Sequence, residues 1–175
     1  MSGHSKWSTI KHKKAITDAK RGVAFGKIAK QIYLAVKQGG SGDGDKNPFL
    51  RRALDEARTA NMPSDNVRRA IDKALGVGGG QAIVEIDYEG YGPGGVGIII
   101  KCVTDNKNRT GGEVRSIFEK ADGSLSEPGS VSYMQDIDPT PTIELFENDL
   151  SKVQDLIDLL DEHEDVVSVW TNLKQ

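Results

Sequence analysis

With 175 residues, 37% of them apolar, the chain is long enough to bury a core in one or two domains and too hydrophobic for disorder throughout. Its formal charge of −3 conceals two opposed halves: positions 1 to 75 hold 16 basic and 7 acidic residues, a net of +9, and positions 76 to 175 hold 7 basic and 19 acidic, a net of −12. No run is long and apolar enough to span a bilayer, and Met1 leads into polar Ser2, Gly3 and His4, so membrane insertion and export are not expected and the cytoplasm is the default location.

The basic charge is densest at the start. Lys6, Lys11, Lys13, Lys14, Lys20, Arg21, Lys27, Lys30 and Lys37 face a single acid, Asp18, so eight positive charges lack compensation. Such an excess points to a polyanion, most commonly nucleic acid. From Val23 to Val36, Phe25, Ile28, Ala29, Ile32 and Val36 recur at helical spacing, with Lys20, Lys27, Lys30 and Lys37 opposite. Leu34 falls among the lysines. Glycines from Gly39 to Gly44 end this helix. A second helix is expected from Pro48 to Asn61 on the stripe Leu50, Ala53, Leu54 and Ala57, and Pro63 stops it. Ser64 is the expected N-cap of a third, with Val67, Ile71 and Leu75 inward. In these two helices Arg51 with Asp55, Arg52 with Glu56, Asp65 with Arg69 and Arg68 with Asp72 stand at i,i+4 and are read as structural pairs. Residues 1–75 thus read as a basic helical domain and 76–80 as a glycine-rich linker.

Beyond the linker the period changes. Val84-Glu-Ile-Asp-Tyr-Glu89 alternates strictly, as a strand with one wet face that would hold Glu85, Asp87 and Glu89. Turn residues Tyr91 to Gly95 connect it to a second strand, Gly97 to Val103, in which the lone Cys102 reads as core packing. Thr110-Gly-Gly-Glu113 has capping-box spacing and is expected to open a helix with Val114, Ile117 and Phe118 inward. Short strands are expected near Val131 to Met134 and Thr142 to Phe146. A helix capped by Asn148 follows, built on Val153, Leu156, Ile157 and Leu160, and Val166 to Thr171 forms a closing strand. The fold class is therefore α+β: an N-terminal helical domain, then an acidic, mostly antiparallel α/β sandwich over 81–175 with two helices on one face.

Two groups of residues are candidates for ligand contact. The first is the basic arm: Lys6, Trp7, Lys11, His12, Lys13, Lys14, Lys20, Arg21, Lys27 and Lys30. Trp7 can stack on bases or fix the arm to the helical core. His4 and His12 have no cysteine or histidine cluster beside them, so no metal site is expected there. The second group is Asn106, Lys107 and Arg109, in a polar loop just before a helix start, where free N–H groups favour anions. Gly90 to Gly95 leads into a strand and lacks a Lys-Ser/Thr ending, so it is a turn and not a nucleotide loop. The acids of the second half lie on wet faces, with no nucleophile, base and orienting group together, so a non-enzymatic protein without cofactors is expected.

Several ordered motifs resemble the YebC/PmpR family: Gly3-His-Ser-Lys-Trp7, Ile10-Lys-His-Lys-Lys14, Asp18-Ala-Lys-Arg-Gly22, Asn61-Met-Pro63, Tyr88-Glu-Gly-Tyr-Gly-Pro-Gly-Gly95, Thr104-Asp-Asn-Lys-Asn-Arg-Thr110, Glu113-Val-Arg115 and Gly129-Ser-Val131 with Tyr133-Met134. The resemblance implies a helical first domain and two α/β domains, the third inserted in the second. Here only Gln135 to Thr140 stands where the insert belongs, so the chain looks like a short form. It also implies regulation of gene expression, as a DNA-binding transcriptional regulator or, as for a mitochondrial relative, a translational activator contacting ribosomal RNA and the ribosome. A third possibility is a protein-interaction module. No helix-turn-helix signature identifies a major-groove reader, and phosphate contacts alone do not separate DNA from RNA.

Overall fold

The computed structural model describes residues 3–77, 79 and 82–174, with side chains from Asp18 onward in the first helix. The chain divides into two compact units, Met1–Gly80 and Gln81–Gln175.

The first unit is three helices: α1 (Gly3–Gly39), α2 (Pro48–Thr59) and α3 (Ser64–Ala74). Helix α1 is far longer than its apolar stripe. The stripe reports burial and not helicity, and the segment before it is rich in Lys and Ala, which favour helix, and contains no proline. Ile28, Ile32, Ala35 and Val36 of α1 pack with Leu50, Ala53 and Ala57 of α2 and with Met62, Ala70 and Ala74. Asn47 ties the unit together. It is fully buried, its Oδ1 accepts from Leu50 N at 3.1 Å as the N-cap of α2, and its Nδ2 donates to Ala35 O at 2.8 Å and Ser41 O at 2.9 Å. Gly39 makes room for it: a Cβ there would fall on the Asn47 amide.

Several local expectations are corrected here. Leu75 is 52% exposed, because it lies past the end of α3. Ser64 is the first residue of α3 and not its cap; Pro63 flanks it, with no side-chain cap. The helix-face ion pairs form at i,i+3: Asp55 with Arg58 at 2.9 Å and Asp65 with Arg68 at 3.0 Å. Arg51 turns instead to the carbonyls of Gly44 and Asp45, and Arg69 to Asn66 and the Asp65 carbonyl.

The second unit is a four-stranded antiparallel sheet in the order β3-β1-β2-β4, made of β1 (Val84–Tyr91), β2 (Gly97–Thr104), β3 (Ser124–Ser126) and β4 (Val166–Thr171). Strands β1 and β2 form the expected hairpin, in register from Val84 opposite Thr104 to Tyr91 opposite Gly97. Its turn uses Gly94 and Gly95 at φ 67° and 79°, a region that L side chains resist. Helices α4 (Lys107–Lys120) and α5 (Glu147–Glu162) cover one face, where Val114, Phe118, Val153, Leu156 and Leu160 pack on Ile98, Ile100 and Cys102. The α+β architecture with both helices on one face is as expected.

The opposite face is partly covered too. Ile99, Val131 and Met134 form a small core there with Tyr91 and Trp170. Residues near Val131 are therefore not a strand but lead into a 3-10 turn, Ser132–Asp136. The amides that a ladder would use are taken by Glu89: its carboxylate accepts from Gly129 N at 2.8 Å, Val131 N at 2.6 Å and Ser132 N at 2.9 Å. Glu89 is accordingly buried, unlike Glu85 and Asp87, which are exposed as expected. Thr142 to Phe146 makes only one bridge, Ile143 to Leu173, and the three-residue β3 carries no alternation that would announce it. Asn148 lies inside α5, which starts at Glu147 without a side-chain cap.

Candidate nucleic-acid interface

With Ile28, Ile32, Ala35 and Val36 turned into the core, the described cations of α1 lie on its other sides. Lys20 and Arg21 are exposed, and Lys27 and Lys30 are half-buried. The Arg21 guanidinium lies 5.7 Å from the Phe25 ring centre, and the Lys37 ammonium 5.6 Å from that of Tyr33. Such contacts settle a long cationic side chain along the helix while its head stays near water. Lys6, Trp7, Lys11, His12, Lys13 and Lys14 belong to the same helix by their backbone, and their side chains lie outside the described residues.

The three residues of the second group have separate roles. Asn106 is the N-cap of α4, its Oδ1 accepting from Arg109 N at 3.1 Å. The cap is Asn106 and not Thr110, which lies a turn inside the helix and is buried. Thr110 Oγ1 is 2.7 Å from Asp165 Oδ2, 2.9 Å from Thr104 Oγ1 and 3.0 Å from the Asn106 carbonyl. Arg109 points at the same carboxylate: its Nη2 donates to Asp165 Oδ2 at 2.8 Å and to Asp105 Oδ1 at 3.3 Å, with Glu113 at 3.9 Å. The Asp165 hydrogen bond, with its negative charge, raises the Arg109 pKa above the usual guanidinium value. Lys107, exposed in the first turn of α4, pairs with no carboxylate among the described residues; its carbonyl accepts from the Tyr88 hydroxyl at 3.0 Å. Burial, ahead of electrostatic interaction with Cys102 and Asp165, raises the Tyr88 pKa.

Asp165 was not legible as a structural anchor. It follows the exposed acids Asp161, Glu162 and Glu164, and its partner Arg109 is far away in sequence. Glu113, His163 and Asp165 place one ligand atom each within 4.8 Å of one another, a spacing that a metal ion tolerates. Their atoms are otherwise engaged. His163 Nδ1 accepts from Asp165 N at 3.1 Å, so Nε2 carries the proton and donates to Glu113 Oε2 at 2.9 Å. Arg109 and Thr110 occupy Asp165 Oδ2. The cluster fits an ion-pair network closed by a guanidinium.

A second cationic side chain, Arg115, lies two turns along α4 from Lys107, in the wall of an open groove with Asn108, Gly111 and Gly112. The sequence signal for Arg115 was its place in the Glu113-Val-Arg115 motif.

Comparison with known proteins agrees with the motifs. The TACO1/YebC N-terminal domain matches residues 5–77, and the TACO1/YebC second and third domain matches residues 83–136. The chain belongs to the TACO1/YebC family. A relative from Geobacter sulfurreducens, named a probable transcriptional regulatory protein, is 57% identical over 78% of this chain and 55% of its own length. One of the same description from Roseiflexus castenholzii is 46% identical over 100% of this chain and 72% of its own. The chain thus spans little more than half of the first relative. A crystal structure of a conserved hypothetical protein from Aquifex aeolicus superposes with a TM-score of 0.78 at 28% identity, covering 90% of this chain and 91% of that one. Residues 137–146 form a connection without helix or strand beyond the Ile143 bridge.

Proposed function

We propose that this chain is a non-enzymatic, nucleic-acid-binding regulator of gene expression acting on transcription, with α1 as its phosphate-contacting element. The observation that carries this reading is the continuity of α1 through 37 residues, about 55 Å of helix. Positions 6, 13, 20 and 27, all lysine, recur every seven residues, and on one uninterrupted helix that spacing drifts by only about 20° per repeat. Four lysine positions then fall along one stripe of the helix, in the half of net charge +9, a spacing suited to successive phosphates. The relatives' description as transcriptional regulatory proteins favours DNA as the partner.

In this account Lys6, Lys11, Lys13, Lys14, Lys20, Arg21, Lys27 and Lys30 contact phosphates, Trp7 and His12 lie among them, and Lys107 adds a contact from the second unit. Arg109 and Asn106 hold the loop that presents Lys107. Glu89, Arg109 and the Asp122–Lys152 pair, 2.9 Å apart, hold loops and helices in place. Among the described residues no helix is long and apolar enough to cross a membrane. The test is crosslinking of the protein to nucleic acid in cells, followed by sequencing of what is bound. Discrete promoter fragments are expected; ribosomal RNA would instead assign a translational role on the ribosome, and recovery of neither would leave a protein-interaction module.

A further inference from the structure

The groove beside α4 has a volume of about 790 Å³. Along the helix, Asn108, Gly112 and Arg115 stand at i, i+4 and i+7 and so form one strip, with Lys107 and Gly111 beside it. Lys107 and Arg115 are eight residues apart, about 12 Å along the axis, and Gly112 leaves the helix bare between them.

Glycine is a poor helix former, so each of these residues calls for a reason. Gly111 has one within the chain, because a Cβ there would stand 3.1 Å from the Tyr88 hydroxyl. Gly112 has none. Its Cβ would meet no atom within 4 Å, and its backbone is that of an ordinary helical residue. A glycine at position 112 leaves the helix backbone open to close approach from the groove.

The charges agree. Lys107 and Arg115 are exposed and pair with no carboxylate among the described residues, whereas Arg109 is held by Asp165 and Asp105. In a half of net charge −12 the groove is lined by two cations and one acid, Glu127. Its remaining wall includes Ile86 and Leu125, apolar surface that a duplex backbone cannot use but an unstacked base can.

We propose that this groove is a second nucleic-acid site, which takes a short unpaired stretch of strand. Lys107 and Arg115 hold its phosphates, the sugar–phosphate chain runs over Gly112, and base surface lies against Ile86 and Leu125. The assignment rests on the nucleic-acid reading above and adds to it a preference for unpaired strand at this site.

The test is an amide NMR titration of the intact chain with a uridine pentanucleotide, a duplex of the same length and a pentaglutamate peptide. The pentanucleotide is expected to shift the Gly111 and Gly112 amides more than either competitor. Lys107→Gln and Arg115→Gln should each lower the slope of log affinity against log salt by about 0.7. Gly112→Ala should raise the melting temperature and yet weaken pentanucleotide binding several-fold, a combination that a merely structural glycine does not give. If the chain binds the pentanucleotide while both glycine amides stay still and the three variants bind as the wild type does, the groove assignment is overturned and the role of α1 stands. Failure to bind any nucleic acid overturns both. Larger shifts with pentaglutamate, or with the duplex, would overturn the assignment to unpaired strand.

Discussion

Glu89 shows how much one carboxylate can organise. Burial raises its pKa, but the amides of Gly129, Ser132 and Val131 outweigh that effect and hold it below the usual glutamate value. A depressed folded pKa contributes stability that is present above the unfolded value, about 4.3, and is lost as pH falls through the folded one. Glu89→Gln keeps the shape and removes the charge, so at pH 7 it should cost roughly 1–3 kcal/mol in urea denaturation. The deficit should narrow below about pH 4, as the wild-type carboxyl itself protonates. A second contrast separates Lys107 from its neighbour. Arg109→Ala should lower the melting temperature, because Asp165 is left buried beside Thr110 without its cation; Lys107→Ala should leave melting unchanged and weaken nucleic-acid binding. Calorimetry and a binding titration on the same two variants check both halves of this expectation. The alternation Val84 to Glu89 correctly assigns Glu89 to the face of Glu85 and Asp87, yet alternation is blind to what later folds over that face. The sequence likewise singled out the Asp105 to Arg109 loop without showing that Arg109 is ion-paired, since Asp165 approaches from the other end of the domain.

At the scale of elements, periodic patterns and turn chemistry placed α2, α3, β1, β2, α5 and β4 close to their observed limits. Elements stabilised by a distant partner were less legible. The 3-10 turn after Val131 owes its amide partners to Glu89, and β3 exists only as an addition to the edge of β1. The N-cap of α4 was misplaced because Thr110 to Glu113 satisfies the capping-box spacing, whereas Asn106 holds the cap and the Thr110 hydroxyl is committed to Asp165. In the first unit Gly39 reads as one of several glycines in a flexible turn, but it is the one whose missing Cβ admits Asn47. Gly39→Ala should therefore destabilise the protein by about 1–3 kcal/mol by displacing a buried cap and its two amide hydrogen bonds. Gly40→Ala meets no atom within 4 Å, but its φ of 65° costs about 1 kcal/mol. Helix content followed by circular dichroism through a urea titration distinguishes the two, and equal losses would contradict the role given to Asn47.

For the whole molecule, the division of charge was the most informative property of the sequence, and the structure adds that the densest cations ride on one continuous helix. The family match spans both units, residues 5–77 and 83–136, and the chain covers 55% of the length of its Geobacter sulfurreducens relative. The central claim is that α1 binds the phosphate backbone. The most direct measurement is the salt dependence of duplex affinity for the intact wild type and for a variant with Lys6, Lys11, Lys13, Lys14, Lys20 and Arg21 changed to glutamine. Each phosphate contact on B-DNA contributes about 0.9 to the slope of log affinity against log salt, so six such contacts would make the variant shallower by about 5. A wild type and variant of equal slope and equal affinity, with helix content unchanged, would contradict the account.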